Sequence, residues 1–288
     1  VIAIFSKDEI IPYCDHDCYI ALDRTCFYAE SGGQVSDTGM IISSAFKARV
    51  IDVFKAPNGQ HIHKVKLLDG AISIDDECET ILDKDRRERI EVNHSCVHIL
   101  QYSLQQVVSG SIKQAGSYVD DDKLRFDFTY TGKMTDDKVL EVEKFAKDMI
   151  SKNLIVSTEI MPLDKAKQLG AMALFGEKYG EKVRVVKIGK SIELCGGTHT
   201  SNTKLVGDFA IFSLESKGSN VYRIEAATGP KVEKNMLEVV KPYHDEVVKL
   251  LVKAKSKYFR YIFVTVATYS GVFILPSIFK QVTPAFIS

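Results

Sequence analysis

The sequence predicts an α+β protein in three parts: a small β-barrel over residues 1–83, an α+β domain with a mainly antiparallel sheet over 84–229, and a helical C-terminal extension over 230–288. Three observations support this division. Short alternating runs between Gly-rich turns fill the first part. Helical periodicity begins near Asp83, and the pattern becomes helical again after Gly229-Pro230.

The first part is predicted to consist of short strands. Strand-like runs occupy 19–29, "YIALDRTCFYA", and 45–56, "AFKARVIDVFKA". Asn58-Gly59 is a dipeptide typical of tight hairpin turns, and alternation of apolar and polar residues follows it. Because many short strands with Gly-rich turns and no long helix are typical of small barrels, a barrel is expected here.

The second part alternates between helical and strand-like segments. Asn93 is a suitable N-cap for a helix that would stop at Gly110. Thr135 is a suitable cap for a second helix, and Pro162 suits the start of a short third one. Alternation predicts strands in five runs: "KLRFDFTYT", "LIVSTEIM", "KVRVVKIG", "IELC" and "DFAIFSLES". The combination predicts helices packed on an antiparallel sheet.

The composition is that of a soluble globular protein. The chain has 288 residues, 45% hydrophobic and 26% charged, with a formal net charge of zero. Total charge therefore does not indicate a nucleic-acid partner, and such a site would have to be a local patch. Six scattered cysteines without a signal peptide predict a reduced, cytoplasmic setting. The first residue is Val, which suggests a piece cut from a longer protein.

One uncharged segment near the C-terminus, 261–279, approaches the length of a membrane span. Gly271, Pro276 and several hydroxyl residues interrupt it, so strands or an interface element of a truncated module are expected instead of a membrane helix. No membrane partner is predicted. The same apolar end leaves a homodimer through the C-terminal segment as an expectation.

Two pairs of residues suggest a metal site. His94 and His98 are four residues apart in a helical segment, which places both rings on one face. Zinc proteases with this spacing carry Glu after the first His, and here Ser95 stands there, which argues against that chemistry. Cys195 and His199 enclose a Gly-rich turn, "CGGTH", after a predicted strand. Together the pairs predict a four-ligand zinc site.

Two further features carry weaker signals. The run "CDHDC", 14–18, contains possible ligands, but its spacing is cramped and no second half is evident. Gly32 and Gly33, within "FYAESGGQ", would let a ligand approach the backbone closely, or would simply form a turn. No Gly-Lys-Ser follows these glycines, so a phosphate-binding loop is not indicated.

Three of these stretches, in order, carry a family resemblance. The chain resembles alanyl-tRNA synthetases and their free-standing editing relatives in three stretches: "FYAESGGQ", the His-x3-His helix and "CGGTH". The resemblance extends to four further stretches: "QAGSYV", "LRFDF", "GAMALFGEKYG" and "RIEAATG". The resemblance covers about residues 1–229, and no stretch resembles the aminoacylation domain. The chain is therefore expected to be the editing region of such a synthetase or a stand-alone deacylase.

The resemblance implies hydrolysis of the ester that joins a wrong amino acid, serine or glycine, to the acceptor end of tRNA(Ala). A second hydrolytic site is needed because one small group changes binding by only about 1–3 kcal/mol in a pocket built for alanine. Within the family pattern the zinc ligands would be His94, His98, Cys195 and His199.

The resemblance also assigns cavity residues. Gln114 matches a polar pocket residue, Gly32 and Gly33 match a loop that closes over the aminoacyl end, and the strand with Arg125 and Asp127 is expected to line the same cavity. The family helix usually reads His-Thr-Ala-Thr-His, and its second Thr is thought to sense the serine hydroxyl.

Val97 stands at the position of that second Thr. Because valine cannot form a hydrogen bond, a weaker preference for seryl over alanyl esters is expected than in relatives with threonine.

Two alternatives from other classes remain. One is a zinc hydrolase of small esters or amides, which would not depend on the tRNA body. The other is a zinc-stabilised tRNA-binding module without hydrolytic activity, as part of an alanyl-tRNA synthetase. The role of zinc is also open, because four protein ligands are typical of structural sites, whereas hydrolytic zinc keeps one position for water.

Overall fold

The computed structural model of the chain describes residues 1–7, 9–172 and 179–254. The chain divides into two compact units, Val1–Met236 and a second that begins at Leu237. The predicted domain boundaries at residues 83 and 229 both lie within the first unit, and they stay predictions. Helices and antiparallel sheets alternate through the described residues, which confirms the predicted mixture of α and β structure.

The N-terminal part forms one seven-stranded antiparallel sheet. In chain order its strands are β1 Ala3–Ser6, β2 Glu9–Ile11, β4 Cys18–Ala21, β5 Gly39–Ile42, β6 Phe46–Lys55, β7 His61–Gly70 and β9 Glu79–Leu82. A separate two-stranded pair consists of β3 Tyr13–Cys14 and β8 Ile72–Ser73. The predicted Asn58-Gly59 turn joins the longest hairpin, β6 and β7, with Gly59 at φ 84°.

Strand β6 shows how sequence alternation fixes its buried face. Phe46, Ala48 and Val50 are buried, whereas the residues between them are exposed. The pairing with β7 shifts after Val50, and this irregularity returns Val53 to the buried face. The alternating pattern therefore packs one side of the sheet on its own apolar core.

The predicted closure of this sheet into a barrel is not confirmed. The strand order is β2-β1-β4-β7-β6-β5-β9, in which β2 pairs only with β1 and β9 only with β5. A closed barrel requires its two end strands to pair with each other. Within the described residues the sheet is therefore open, with β2 and β9 as its edges.

The middle of the chain packs two helices on a four-stranded antiparallel sheet. The helices are α1 Lys84–Val107 and α2 Asp136–Ser151, and the strands, in sheet order, are β10 Lys113–Val119, β11 Leu124–Thr129, β16 Val221–Thr228 and β15 Phe209–Gly218. Fully buried Phe126 and Phe128 of β11 join Leu100 and Leu104 of α1 in the larger core. Burial of this face attaches α1 to the sheet.

A third, smaller sheet supplies the turn with Cys195. Its strands, in order, are β12 Val156–Pro162, β13 Lys182–Ile188 and β14 Ser191–Leu194. Two short elements accompany it, α3 Leu163–Gln168 and a 3-10 helix at Thr203–Val206. Part of the stretch "GAMALFGEKYG" named in the resemblance, residues 173–178, lies outside the described residues.

The helix caps agree with prediction in one case and differ in another. Thr135 caps α2 by accepting a hydrogen bond from the backbone N–H of Lys138 at 3.4 Å. Asn93, predicted as a cap, lies inside α1, which instead begins after Asp83. The Asn93 amide is buried and donates to the Asp120 carbonyl at 2.8 Å. A tertiary contact has therefore replaced the local capping role.

The last described helix, α4, covers Lys231–Ala254 and contains Pro242. It agrees with the helical pattern predicted after residue 230, but residues 255–288 lie outside the described part, so the helical extension as a whole is not confirmed. The apolar run 261–279 and the expected homodimer contact fall in that part. No helix among the described residues has the length and apolar character required to cross a bilayer.

Candidate metal centre and its cavity

The four predicted ligands converge on one point. His94 and His98 extend from one face of α1, and Cys195 and His199 come from the turn after β14. Their donor atoms all lie within 4.8 Å of one another. Among the described residues, these side chains form the one group of His, Cys, Asp or Glu that is arranged to hold a metal ion.

The spacing of the donor atoms fits a tetrahedral ion. Cys195 Sγ lies 3.4 Å from His94 Nε2 and 3.3 Å from His199 Nε2. On tetrahedral zinc, with Zn–S of about 2.3 Å and Zn–N of about 2.0 Å, a sulfur and a nitrogen stand about 3.5 Å apart. A thiolate with three imidazoles is also a donor set that zinc prefers. The residues present therefore fit the metal that the sequence predicted.

The turn with Cys195 is held tightly against α1. Arg184 of β13 donates to the carbonyl oxygens of Cys195 and Gly197, at 2.9 Å and 2.6 Å. A Cβ atom at Gly197 would overlap the His94 ring, so glycine is needed for this close approach. The Gly197 N–H points at Cys195 Sγ at 3.4 Å.

Each histidine has an oxygen close to Nδ1, which is a hydrogen-bond partner for His94 and His199 and, for His98, a carboxylate at ion-pair distance outside hydrogen-bond geometry. These oxygens are Gln34 Oε1 at 2.6 Å from His94, Glu193 Oε2 at 3.0 Å from His98, and Ser95 Oγ at 3.1 Å from His199. Metal-binding histidines usually have such a partner, which orients the ring and leaves the other nitrogen for the metal. The arrangement thus has four candidate ligands and groups that could orient the histidine rings.

Electrostatics in the cluster favour a thiolate next to positive charge. Burial raises the pKa of the Cys195 thiol, but charge on His94 and hydrogen bonds with His199 and His94 outweigh it and bring that pKa well below its ordinary value. Burial alone would lower the pKa of His98, but the opposing effect of the nearby Glu193 carboxylate is larger, and the pKa of His98 is raised to about 10. Burial and charge on His94 lower the pKa of His199 to about 3. The acidic pair, Cys195 and Glu193, therefore creates a site that stabilises a cation.

A cavity of about 280 Å³ opens beside the ligands. Its walls include His94, His98 and Cys195, together with three residues that the sequence analysis assigned to the pocket: Gly32, Val97 and Gln114. Val97 is only 3% exposed. The Gln114 amide donates to Ser117 Oγ at 3.1 Å, and Ser117 Oγ donates to the Gly32 carbonyl at 3.3 Å.

Gly33 has a different surrounding from Gly32. It does not line the cavity, and its φ is 83°. A Cβ atom there would overlap the backbone carbonyl of Ser117, whereas no atom lies within 4 Å of a Cβ at Gly32. The two glycines therefore have separate roles: Gly33 allows the loop to pack against β10, and Gly32 forms part of the wall.

Two expected cavity residues lie elsewhere. Arg125 and Asp127 are not among the residues that line the cavity. Asp127 instead accepts two hydrogen bonds of 2.8 Å from Arg223 on the neighbouring strand β16. The Arg125 guanidinium lies over the Tyr118 ring, 5.7 Å from its centroid. The expectation that this strand lines the cavity was wrong for these two side chains.

Several residues around the centre were not identified from the sequence. Gln34 and Glu193 lie within quoted motifs. Glu193 is on β14, two residues before Cys195, which follows the end of that strand, and residues two apart in an extended segment point to the same side. That spacing was a usable signal. Arg184 reaches Cys195 only through the pairing of β13 with β14, which the sequence does not reveal.

The comparisons with known proteins agree with these motifs. The family described as the threonyl and alanyl tRNA synthetase second additional domain matches residues 183–225, and the class II (A) tRNA synthetases match residues 1–86. The second match shows that residues 1–86 are similar to class II tRNA synthetases, although no resemblance to an aminoacylation domain was recognised in the sequence.

Curated relatives match most of the chain. An alanine–tRNA ligase from Caldicellulosiruptor saccharolyticus is 41% identical over 89% of this chain and 30% of its own length. The corresponding ligase from Halalkalibacterium halodurans is 46% identical over 73% of this chain and 24% of its own length. The ligase from Staphylococcus saprophyticus is 45% identical over 83% of this chain and 27% of its own length. The chain thus spans less than a third of the length of these relatives, and over the region it shares with them it belongs to the alanyl-tRNA synthetase family.

Proposed function

We propose that this chain removes wrongly attached serine or glycine from tRNA(Ala) by hydrolysis of the aminoacyl ester. The observation that carries the proposal is the shared position of the four-ligand cluster and the cavity, whose walls also include Gly32, Val97 and Gln114. A volume of about 280 Å³ is at the lower end for small-molecule sites, which suits an aminoacyl group and not a long peptide.

Zinc would be held by His94, His98, Cys195 and His199. A zinc ion supplies either Lewis-acid polarisation with an acidified water, or, with all four protein ligands retained, a rigid frame for the cavity wall. We favour the organising role because four protein ligands complete a tetrahedral site.

The cavity residues of this chain would then orient the ester and its attacking water. Gln114 and Ser117 form a polar pair beside the cluster, and Tyr28 adds a phenol whose O–H donates to the Ser31 carbonyl at 3.0 Å. Hydrolysis breaks the acyl carbon–oxygen bond, adds the water oxygen to the amino acid and returns a proton to the ribose oxygen. Because aminoacyl esters are labile, fixed orientation in the cavity supplies much of the rate enhancement.

The terminal phosphates of tRNA require positive charge near the cavity mouth. Lys182 is exposed and also lines the cavity, so its ammonium group is available to a phosphate. Because the net charge of the chain is zero, we expect only local electrostatic attraction at this end and a correspondingly modest dependence of binding on salt. A role in translation implies a cytoplasmic location.

One assay tests the proposal. Purified protein is incubated with Ser-, Gly- and Ala-tRNA(Ala), with and without a zinc chelator. We expect hydrolysis of the seryl and glycyl esters that is lost when zinc is removed. Gln114→Ala should lower the deacylation rate about 10-fold or more, because it removes a polar group from the cavity. Gln106→Ala, the same change on the exposed side of α1, should not.

The rival functions give different results. Binding of tRNA with no ester hydrolysis would identify a zinc-stabilised tRNA-binding module. Equal hydrolysis of small amino-acid esters and of aminoacyl-tRNA would identify a zinc hydrolase that does not recognise tRNA. Either result contradicts the proposal.

A further inference from the structure

The side chain of Gln34 extends from the N-terminal sheet region into the candidate metal centre. Its backbone is fixed by two hydrogen bonds with Ser31, of 3.2 Å and 3.0 Å, in a tight turn. The loop is then attached to β10, because the Val119 N–H donates to the Gly33 carbonyl at 2.8 Å. The side chain of Gln34 is completely buried, between His94 and the turn that contains Thr198.

The contacts of Gln34 determine which end of its amide faces which neighbour. The backbone N–H of Thr198 can only donate, and it lies 2.9 Å from Gln34 Oε1, so that atom is the carbonyl oxygen. The other end, Nε2, donates to the Thr198 hydroxyl at 2.9 Å. The amide therefore pairs with the backbone N–H and the hydroxyl of Thr198 and has one fixed orientation.

This orientation determines the proton position on His94. His94 Nδ1 lies 2.6 Å from the same Gln34 Oε1. Because that oxygen can only accept, Nδ1 must carry the proton and donate it. In the neutral ring, which is the form that binds a metal ion, His94 Nε2 then keeps its lone pair, and this atom faces Cys195 Sγ at 3.4 Å.

We propose that Gln34 is a positioning residue of the metal centre: its amide oxygen fixes the tautomer and the ring orientation of His94, and the same amide binds the Cys-Gly-Gly-Thr-His turn to that ring. The inference rests on the proposed zinc site. It joins two predicted domains, because Gln34 lies before residue 83 and His94 after it.

Gln34→Met and Gln34→Glu separate this role from simple packing. Methionine has a similar length and forms no comparable hydrogen bonds, so the His94 and Thr198 N–H groups lose their acceptor. Loss of such a supporting group usually lowers metal affinity about 10- to 100-fold. Glutamate accepts from both N–H groups, and the Thr198 hydroxyl can rotate to donate. Gln34→Glu should therefore keep zinc affinity within about 5-fold of wild type.

Zinc affinity is measured by competition with a chromogenic chelator. Gln60→Met is the control, because the Gln60 amide also makes a hydrogen bond to a residue distant in sequence, donating to the Leu22 carbonyl at 3.0 Å, away from the centre. We expect wild-type affinity for this control. Wild-type zinc affinity in Gln34→Met would overturn the proposal.

A second measurement does not depend on the folding of any Gln34 variant. In zinc-loaded wild-type protein labelled with ¹⁵N-histidine, with the signal assigned by its loss in His94→Gln, the His94 proton should be on Nδ1 and exchange slowly. A proton on Nε2 would overturn the proposal. Weak zinc binding in Gln34→Met together with an absence of deacylation in wild type would refute the proposed function but leave the positioning role of Gln34 intact.

Discussion

Val97→Thr is the substitution that tests most directly which amino acid the cavity accepts. Val97 lies on α1 between the two histidines, is 3% exposed and lines the cavity. The change replaces one methyl group by a hydroxyl of similar size. In a helix this hydroxyl can donate to the carbonyl four residues earlier, that of Asn93, and its oxygen then remains free to accept from a bound ligand.

The magnitude follows from the burial of this position. A serine hydroxyl placed against the buried Val97 side chain lacks a partner there, which costs about 1–3 kcal/mol. An acceptor at this position removes that cost for the seryl ester and changes nothing for the alanyl ester. Because about 1.4 kcal/mol corresponds to a tenfold change, the ratio of kcat/KM for Ser-tRNA(Ala) over Ala-tRNA(Ala) should rise about 5- to 150-fold.

The assay compares deacylation of Ser-, Gly- and Ala-tRNA(Ala) by wild type and variant. Val142→Thr serves as the control, because Val142 is a fully buried valine of α2 in the core and does not line the cavity. That variant should be less stable yet keep the wild-type ratio. An unchanged ratio in Val97→Thr, with the protein folded and zinc bound, would refute the role assigned to this position.

Three further predictions concern the loop, the metal and the first sheet. Gly33→Ala should lower the free energy of unfolding by about 3 kcal/mol or more, because a Cβ there overlaps backbone at φ 83°, whereas Gly32→Ala, with open space, should cost about 1 kcal/mol in urea unfolding. Cys195→Ala should lower zinc affinity by more than about 100-fold, measured by chelator competition; deacylation that persists after complete zinc loss would exclude both roles of zinc. Burial lowers the pKa of His63 to about 4, so the unfolded chain takes up this proton first and stability should fall as pH drops from about 6.5 to 4, by up to about 3 kcal/mol. His63→Gln should remove that part of the pH dependence, and exposed His16→Gln should leave it; equal slopes in all three proteins would contradict the assignment.

The parts of the fold that were predicted from sequence depend on local rules. A spacing of four residues puts His94 and His98 on one helix face whatever surrounds the helix, and a Gly-rich turn brings Cys195 close to His199. Barrel closure depends instead on pairing between distant strands, which alternation does not encode. Asn93 shows the same limit, because its local cap propensity is overridden by a contact with the Asp120 carbonyl.

The contacts that hold the three histidines bear on whether the proposed zinc ion would organise the cavity or would exchange a ligand for water. Gln34, Ser95 and Glu193 each contact a different histidine at Nδ1, and these partners come from a loop, a helix and a strand. A histidine held in this way would lose its contact at Nδ1 on leaving a metal, and for the buried pair of His98 and Glu193 that loss would leave the carboxylate without its cationic partner, with the Ser191 hydroxyl still donating to it at 2.9 Å. Exchange of a histidine is therefore costly, and this favours a metal that keeps all four ligands. On this reasoning, selectivity lies with the cavity wall that would not bind the metal, where Val97 is the one residue between the two histidines that lines the cavity.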